Sequence, residues 1–308
     1  MYQYGQSESW VGDWMEQRSN RDDIVVATKY TGGFQHHDVP QSTTIGNGMK
    51  SLLTSVRNSL KLLKTDYIDI LYVHWWSFDT SVEEVMRGLH SLVLQNKVLY
   101  LGISDTPAWI VVKANDYARQ HGLTPFSVYQ GKWNVACRDM EREIIPMCQD
   151  QGMGIAPWGV LAQGDIKTAN ERAAGKVEGS RISLHNSEKE EKVSEVLEKM
   201  AEEKNTTLRV LAIAYVMQKA PYVFPILGGR KVDQLKSNMA ALSLELSEED
   251  IKQINKASNF DVGFPLNMLI GADYDIDYDA STQTQTRRFI LTDEPRKQQA
   301  FKPSQRRG

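Results

Sequence analysis

The stretch YIDILYVH, residues 67–74, decides the fold class of this chain. It is a short run rich in β-branched and aromatic residues, of the type that is buried on both faces of a parallel sheet. The segments before and after it, MKSLLTSVRNSLKLLKT (49–65) and SVEEVMRGLHSLVLQNK (81–97), instead space their apolar residues as helices do. The stretch is therefore predicted to be one strand of a βα series.

Five more stretches of this kind alternate with helical segments in the same way. Such alternation indicates a parallel sheet, and about 250 residues of it is typical of a (β/α)8 barrel. Six strands would also fit a doubly wound open sheet. No G-x-G-x-x-G sequence opens a helix after a strand, however, which disfavours a dinucleotide-binding open sheet. The five stretches are IVVATK (24–29), VLYLGIS (98–104), FSVYQ (126–130), GIAPW (154–158) and VFPILGG (223–229).

Two regions interrupt this pattern. Residues 164–190 are polar and contain glycine, which predicts a long lid loop. Residues 272–308 lack periodicity and predict a flexible tail, so that residues 1–271 form one barrel domain. The helix predicted in REIIPMCQDQG is expected to break at Pro146.

Composition excludes several classes of function. The 308 residues carry a net charge of −3, without the basic stripe of a nucleic-acid-binding protein. The sequence contains no run of 18 apolar residues, the pattern that would predict a membrane span. Two cysteines, Cys137 and Cys148, are too few for a disulfide scaffold and indicate a reducing compartment, the cytoplasm. His36 and His37 lack a supporting cluster of ligands, so we expect no metal site.

Polar and aromatic residues stand at the ends of the predicted strands. In a parallel barrel the carboxyl ends of the strands form the mouth, where active sites are built. Six such positions in register predict a small-molecule site. They are Lys29, His74, Ser104 with Asp105, Gln130, Trp158, and the segment Gly228-Gly229-Arg230-Lys231.

The motifs at these positions resemble those of the aldo-keto reductase family. ATK, YVHWW, GISD, YQGKWN, APWG and FPILGGRKVDQLKSN occur in order, and the likeness covers about residues 2–265. It is strongest to the fungal aryl-alcohol dehydrogenase group, which includes norsolorinic-acid-type polyketide reductases. The resemblance implies a (β/α)8 barrel that reduces aryl aldehydes or aromatic and polyketide ketones with NADPH. The chain would then begin after the family's second strand, as a barrel lacking its first two strands.

The resemblance also implies catalytic residues from the family's tetrad of Asp, Tyr, Lys and His. Lys29 and His74 match two of these positions. Tyr2 matches the tyrosine by its spacing to the following Ser-Glu, whereas Tyr4 fits a shorter spacing. The tetrad aspartate has no counterpart, since only Met1 precedes Tyr2.

The implied cofactor is NADPH or NADP+, and its binding residues follow from the same motifs. Trp75 and Trp76, beside His74, would form a flat apolar pocket for the substrate. The implied cofactor-binding residues are Ser104, Asp105, Gln130, Trp158, Gly159, Leu161, Gln163, Gly164, Gly229, Arg230, Lys231, Gln234 and Asn238.

Two other functions fit the same residues. The chain could be a catalytically impaired, truncated paralogue, because the tetrad aspartate is missing. It could also be a non-catalytic barrel that binds NADPH or a partner. Retention of Lys29, His74 and the cofactor segment favours the enzyme.

Overall fold

The computed structural model describes residues 5–33, 44–174, 188–258 and 260–270. The chain forms two compact units. Unit 1 comprises Met1–Gln130 with Gln151–Met153, and unit 2 comprises Gly131–Asp150 with Gly154–Gly308. Of the predicted regions, the tail, residues 272–308, lies outside the described residues, as does the middle of the predicted lid, residues 175–187.

Unit 1 is a parallel sheet whose strands alternate with helices. Its four strands are neighbours in chain order, and β1 pairs with β2, β2 with β3, and β3 with β4, all in parallel. The alternation from β1 to β4 was predicted from the sequence, whereas helix α1, which precedes β1, was not. The elements are α1 Gln6–Arg18, β1 Ala27–Tyr30, α2 Met49–Leu63, β2 Ile68–Val73, α3 Val82–Leu94, β3 Val98–Ser104, α4 Ala108–Gln120 and β4 Phe126–Gln130.

Helix α3 shows why these segments fold as they do. The Ser81 hydroxyl accepts a hydrogen bond from the Glu84 backbone N–H at 3.2 Å, which makes Ser81 the N-cap. Val85, Leu89 and Leu92 recur at helical spacing and are fully buried. The cap therefore fixes where the helix begins, and the apolar stripe fixes which face it buries.

Unit 2 is mainly helical, with one short strand. That strand, β5, pairs by a parallel bridge between Ile155 and Val223. The predicted sixth strand, 223–229, contributes this bridge and a backbone bond from Ile226 to Pro157, but forms no longer ladder. The elements are α5 Ile144–Gln151, β5 Gly154–Ile155, α6 Ala169–Ala173, α7 Glu188–Glu203, α8 Leu208–Lys219, α9 Val232–Met239, α10 Glu248–Ser258 and α11 Leu266–Ile270.

Two predictions about unit 2 can be compared with the structure. The break expected at Pro146 is wrong, because Pro146 is the third residue of α5. The first turn has no intrahelical acceptors for its N–H groups, so a proline there costs no hydrogen bond. Within the predicted lid, 164–190, Ala169–Ala173 form α6 and α7 begins at Glu188. Thr168 caps α6 and accepts a bond from the Glu171 N–H at 3.1 Å.

Helices α1 and α2 pack with their backbones in close approach at Gly12. A Cβ added there would lie 2.9 Å from the carbonyl carbon of Leu63 and closer still to the carbonyl oxygen of Leu62. We expect Gly12→Ala to lower the free energy of unfolding by about 1–3 kcal/mol, because backbone atoms cannot move aside as a side chain can. Urea titration measures this loss.

Gly228→Ala is the matched control for that substitution. Nothing lies within 4 Å of a Cβ added at Gly228. An equal loss of stability in both variants would show that the contact between α1 and α2 is not the cause.

Candidate active site

The strand register of unit 1 sets the predicted site residues in rows across the sheet. Lys29 pairs with Tyr72, and Tyr72 with Gly102, so these three residues form one row. Ser104 pairs with Gln130 two residues further along. Because alternate residues of a strand share a face, Ser104 lies on the face of Gly102. The structure therefore places Lys29, Ser104 and Gln130 near the carboxyl ends of β1, β3 and β4 of one sheet.

Lys29 lies half-buried on β1, near an aromatic ring and under the influence of a carboxylate. Its Nζ is 5.3 Å from the centroid of the Tyr72 ring. Burial lowers the pKa of Lys29, and the negative charge of Asp105 partly opposes this. The ammonium is consequently held in a site where losing its proton is easier than in water.

His74 follows β2 and is held as a neutral imidazole. Burial, reinforced by the positive charge of Lys29, lowers the pKa of His74 to about 4. Its backbone N–H donates to the Tyr30 carbonyl at 3.2 Å, and its ring centroid is 4.7 Å from that of Trp75. At neutral pH the ring therefore offers one N–H donor and one acceptor.

A buried asparagine that sequence analysis missed fixes the backbone beside His74. The Asn47 Nδ2 donates to the Thr31 Oγ1 and to the Trp75 carbonyl, each at 3.0 Å. Its Oδ1 accepts from the backbone N–H of Ser77 at 2.7 Å. Asn47 thereby ties the end of β1 to the loop after β2. No local pattern could have revealed it, since 28 residues separate Asn47 from Trp75.

The predicted substrate pair differs in exposure. Trp75 is 38% exposed, whereas Trp76 is buried and only 8% exposed. Trp75 is therefore the member of the pair with a surface available to a ligand.

Three of the predicted cofactor-binding residues, at the ends of β3 and β4, offer the donors and acceptors that the carboxamide of a nicotinamide needs. Ser104 and Gln130 are both buried at the ends of β3 and β4, and they contribute a hydroxyl and an amide. Asp105 is exposed and adopts a left-handed backbone with φ 42°. Its N–H donates to the Gln130 carbonyl at 3.0 Å, which joins the two strand ends. This donor set fits a nicotinamide cofactor.

In unit 2 the chain after β5 is held in an unusual backbone conformation. The Trp158 N–H donates to the Gly131 carbonyl at 2.9 Å, and the Gly159 carbonyl accepts from the Asn134 Nδ2 at 2.8 Å. Ala162, Gln163 and Gly164 then have φ of 47°, 57° and 101°. Left-handed residues other than glycine are costly, and they concentrate where backbone contacts ligands.

This loop, which follows the APWG motif, contains three more of the predicted cofactor-binding residues. Leu161 is half-buried, and its backbone carbonyl accepts a hydrogen bond from the Gly164 N–H at 2.8 Å. Gln163 and Gly164 are exposed. A Cβ added at Gly164 would meet no atom within 4 Å, so the space beside this backbone is open.

The segment that begins α9 presents two cations. Arg230 and Lys231 are exposed, and the backbone N–H of each donates to the Gln234 Oε1, at 2.9 and 3.3 Å. Gln234 thus caps the helix. A Cβ at Gly229 would lie 3.4 Å from the same oxygen. Asn238 is buried, with 7% of its surface exposed, so the structure presents Arg230 and Lys231, rather than Asn238, to solvent.

One predicted residue and its alternative remain to be placed. Tyr2, and Tyr4 as its alternative, lie outside the described residues. The residue that sequence analysis missed in the row with Lys29 is Tyr72. Its position two residues before His74, on the same face of β2, is the signal that could have identified it.

Comparison with known proteins places the chain among characterised families. The model of the aldo/keto reductase family matches residues 1–259. The chain belongs to this family. It is therefore an oxidoreductase of the (β/α)8-barrel class, and both the predicted fold class and the predicted class of enzyme are confirmed. Membership also indicates a nicotinamide cofactor and a small-molecule substrate.

Several curated fungal proteins are similar to this aldo/keto reductase. The norsolorinic acid reductase of Aspergillus flavus is 57% identical over 271 residues, covering 87% of this chain and 69% of that protein. The aryl-alcohol dehydrogenase [NADP(+)] of Phanerodontia chrysosporium is 51% identical, covering 91% and 77%. A probable aryl-alcohol dehydrogenase of Saccharomyces cerevisiae is 51% identical, covering 87% and 84%. Across the described ranges, no helix of this reductase is long and apolar enough to cross a membrane.

Proposed function

We propose that this reductase uses NADPH to reduce aryl aldehydes, or aromatic and polyketide ketones, to alcohols. The observation that carries the proposal is the pair formed by Lys29 and His74. A half-buried ammonium lies close enough to a neutral imidazole to lower the pKa of His74. A carbonyl oxygen between such groups meets both a positive charge and an N–H donor as it gains negative charge.

NADPH, when bound, supplies the hydride. The neutral His74 donates its N–H to the carbonyl oxygen and orients it. In this proposal the oxygen receives its proton from Tyr2, the tyrosine that the sequence motif selects. An ammonium such as that of Lys29 lowers the pKa of a nearby phenol, which lets a tyrosine both give and retake a proton near neutral pH.

The choice of NADPH over NADH is supported by charge. Arg230 and Lys231 are exposed cations at the start of α9. A guanidinium forms bidentate, charge-assisted hydrogen bonds with a phosphate, such as the 2′-phosphate that distinguishes NADPH. The Phanerodontia chrysosporium relative carries NADP(+) in its name.

The preference for aromatic substrates is supported by Trp75. Its exposed ring stands beside His74, and its backbone is fixed by Asn47. A flat aromatic surface next to the polarising groups suits a substrate that can stack on it. Relatives named for norsolorinic acid and for aryl alcohols are similar to this chain over most of its length.

We also propose that the chain acts in the cytoplasm. Cys137 and Cys148 are free thiols, and Cys148 is buried. Thiols persist in reducing compartments, whereas secreted proteins use cysteines mainly as disulfides.

Steady-state turnover of the 308-residue chain tests the proposal. We expect NADPH absorbance to fall with veratraldehyde as substrate, and expect Trp75→Ala to raise KM for this aldehyde roughly tenfold by removing the stacking surface. KM for butanal, which cannot stack, should change little.

Trp109→Ala provides the matched control. Trp109 lies on α4 and is 62% exposed, so its loss should leave both KM values unchanged. If the unsubstituted protein does not oxidise NADPH in the presence of veratraldehyde, the proposed reaction is contradicted. An equal rise in KM for both aldehydes in Trp75→Ala would contradict only the assignment of Trp75 as a stacking surface for aromatic substrates.

A further inference from the structure

Tyr72 lies on β2 between a proposed catalytic residue and a proposed cofactor residue, although no step of the reaction uses it. The side chain is buried at 3% exposure. Lys29 pairs with Tyr72 across β1 and β2, and the Lys29 Nζ lies 5.3 Å from the centroid of the Tyr72 ring. A cation within about 6 Å of a tyrosine ring is attracted by the negative face of the ring.

A glycine on the neighbouring strand makes room for this ring. Gly102 pairs with Tyr72 across β2 and β3. A Cβ added at Gly102 would lie 2.5 Å from both Cδ1 and Cε1 of the Tyr72 ring, far inside van der Waals contact. The ring therefore lies against β3 at a position where any side chain would displace it.

The hydroxyl of Tyr72 reaches β4. The Gln130 side chain lies within reach of this hydroxyl, and its polar interaction with it favours the ionised phenol. Burial has the larger effect and raises the pKa of Tyr72 to about 12, so the hydroxyl keeps its proton at neutral pH. Tyr72 is consequently suited to holding Gln130 rather than to donating a proton to substrate.

We propose that Tyr72 is a positioning residue with two separable tasks. Its ring holds the Lys29 ammonium, and its hydroxyl orients the Gln130 amide toward the carboxamide of the nicotinamide. The inference rests on the proposed function, since it takes Lys29 as catalytic and Gln130 as cofactor-binding. One side chain thus links the proton-handling and cofactor-binding sides of the site across three strands.

Two substitutions separate the tasks. Tyr72→Phe keeps the ring and removes the hydroxyl, whereas Tyr72→Met fills similar space without either. We expect both variants to raise the Kd for NADPH about fivefold, the usual effect of losing one hydrogen bond, measured by cofactor fluorescence. We expect kcat with veratraldehyde to be about tenfold lower in Tyr72→Met than in Tyr72→Phe.

A direct measurement on Lys29 needs neither cofactor nor turnover. In protein with 13C-labelled lysine, NMR titration should show that the pKa of Lys29 is about half a unit to one unit lower in Tyr72→Met than in Tyr72→Phe. A role in folding alone would lower the melting temperature without this difference. Tyr100→Phe, which alters a 60% exposed tyrosine of β3, is the control and should leave Kd and the Lys29 pKa unchanged.

Each task can be overturned by itself. A Lys29 pKa that is the same in the two Tyr72 variants contradicts the role of the ring. A Kd for NADPH in Tyr72→Phe equal to that of the unsubstituted protein contradicts the role of the hydroxyl. Failure of the proposed function would show differently, as an unsubstituted protein that does not oxidise NADPH while the Lys29 pKa still responds to the ring.

Discussion

Lys29→Met is expected to lower kcat for veratraldehyde reduction by about 10²–10⁴-fold, the usual contribution of a group that promotes proton transfer. Methionine keeps most of the length and apolar character of the side chain but removes the positive charge. The Kd for NADPH should stay within about threefold, because the residues proposed to hold the cofactor are retained. Stopped-flow absorbance and fluorescence titration measure the two quantities separately.

Lys97→Met is the matched control for this substitution. Lys97 is exposed and immediately precedes β3, at the amino end of the strand, away from the carboxyl ends where Lys29 lies. It should leave kcat unchanged. Retention of kcat within threefold in Lys29→Met would contradict the catalytic assignment.

The pH dependence of the same reaction follows from the charges around Lys29. The reaction needs the ammonium, so kcat should fall as pH rises through the Lys29 pKa. Because burial lowers this pKa, the fall should come at lower pH than for an exposed lysine. The Asp105 carboxylate raises the pKa of Lys29, so Asp105→Asn should move the fall to still lower pH. His74, with its pKa near 4, should add no further step between pH 6 and 8.

The sequence predicts the parallel sheet well because its signals are local. Each strand of unit 1 is a short β-branched or aromatic run, and α2, α3 and α4 each carry an apolar stripe, so neighbouring residues suffice to identify them. Helix α1 was not predicted, because its buried residues Glu8, Gly12 and Met15 form no apolar stripe. The stretch 223–229 shows the limit of this approach. Its apolar residues predict a strand of seven residues, yet the structure shows there only the bridge at Val223 and the backbone hydrogen bonds from Phe224 to Ile155 and from Ile226 to Pro157.

The candidate site is predicted only where a residue carries its own chemistry. Lys29, His74 and Gln130 are polar residues at or next to the carboxyl ends of β1, β2 and β4, and that placement can be predicted from the sequence. Tyr72 and Asn47 were missed because a tyrosine in a strand or an asparagine between glycines is ordinary by itself. Their roles arise from contacts with Lys29 and Trp75, distant in the chain, and only the folded structure creates those contacts.

A network of buried charges in unit 2 joins the segment 133–141 to α8 and α10. Glu141 is 1% exposed and accepts bonds from the Arg138 Nε and Nη2, at 2.9 and 2.7 Å, and from the Trp133 indole N–H at 3.0 Å. The Nζ of Lys219, a residue at the end of α8, lies 3.6 Å from the Glu141 Oε2. One carboxylate therefore faces two buried cations. Arg138 also donates to the Ser258 hydroxyl at 3.1 Å, which extends the network to α10.

Glu141→Gln is expected to lower the free energy of unfolding by about 3–5 kcal/mol, the usual cost of removing one partner of a buried ion pair. The amide preserves volume, so no cavity forms, but its NH2 group faces Arg138 and Lys219 without the compensating charge. Urea titration followed by tryptophan fluorescence measures the loss, with Trp133 as a reporter beside the network.

Glu143→Ala is the control for that measurement, because Glu143 lies in the same segment and is exposed. It should change the unfolding free energy by less than about 0.5 kcal/mol. A loss below about 1 kcal/mol in Glu141→Gln would mean that water or other side chains already neutralise the two cations. The network would then orient α8 and α10 without contributing much stability, and a substitution of all three charged residues by apolar ones should be tolerated.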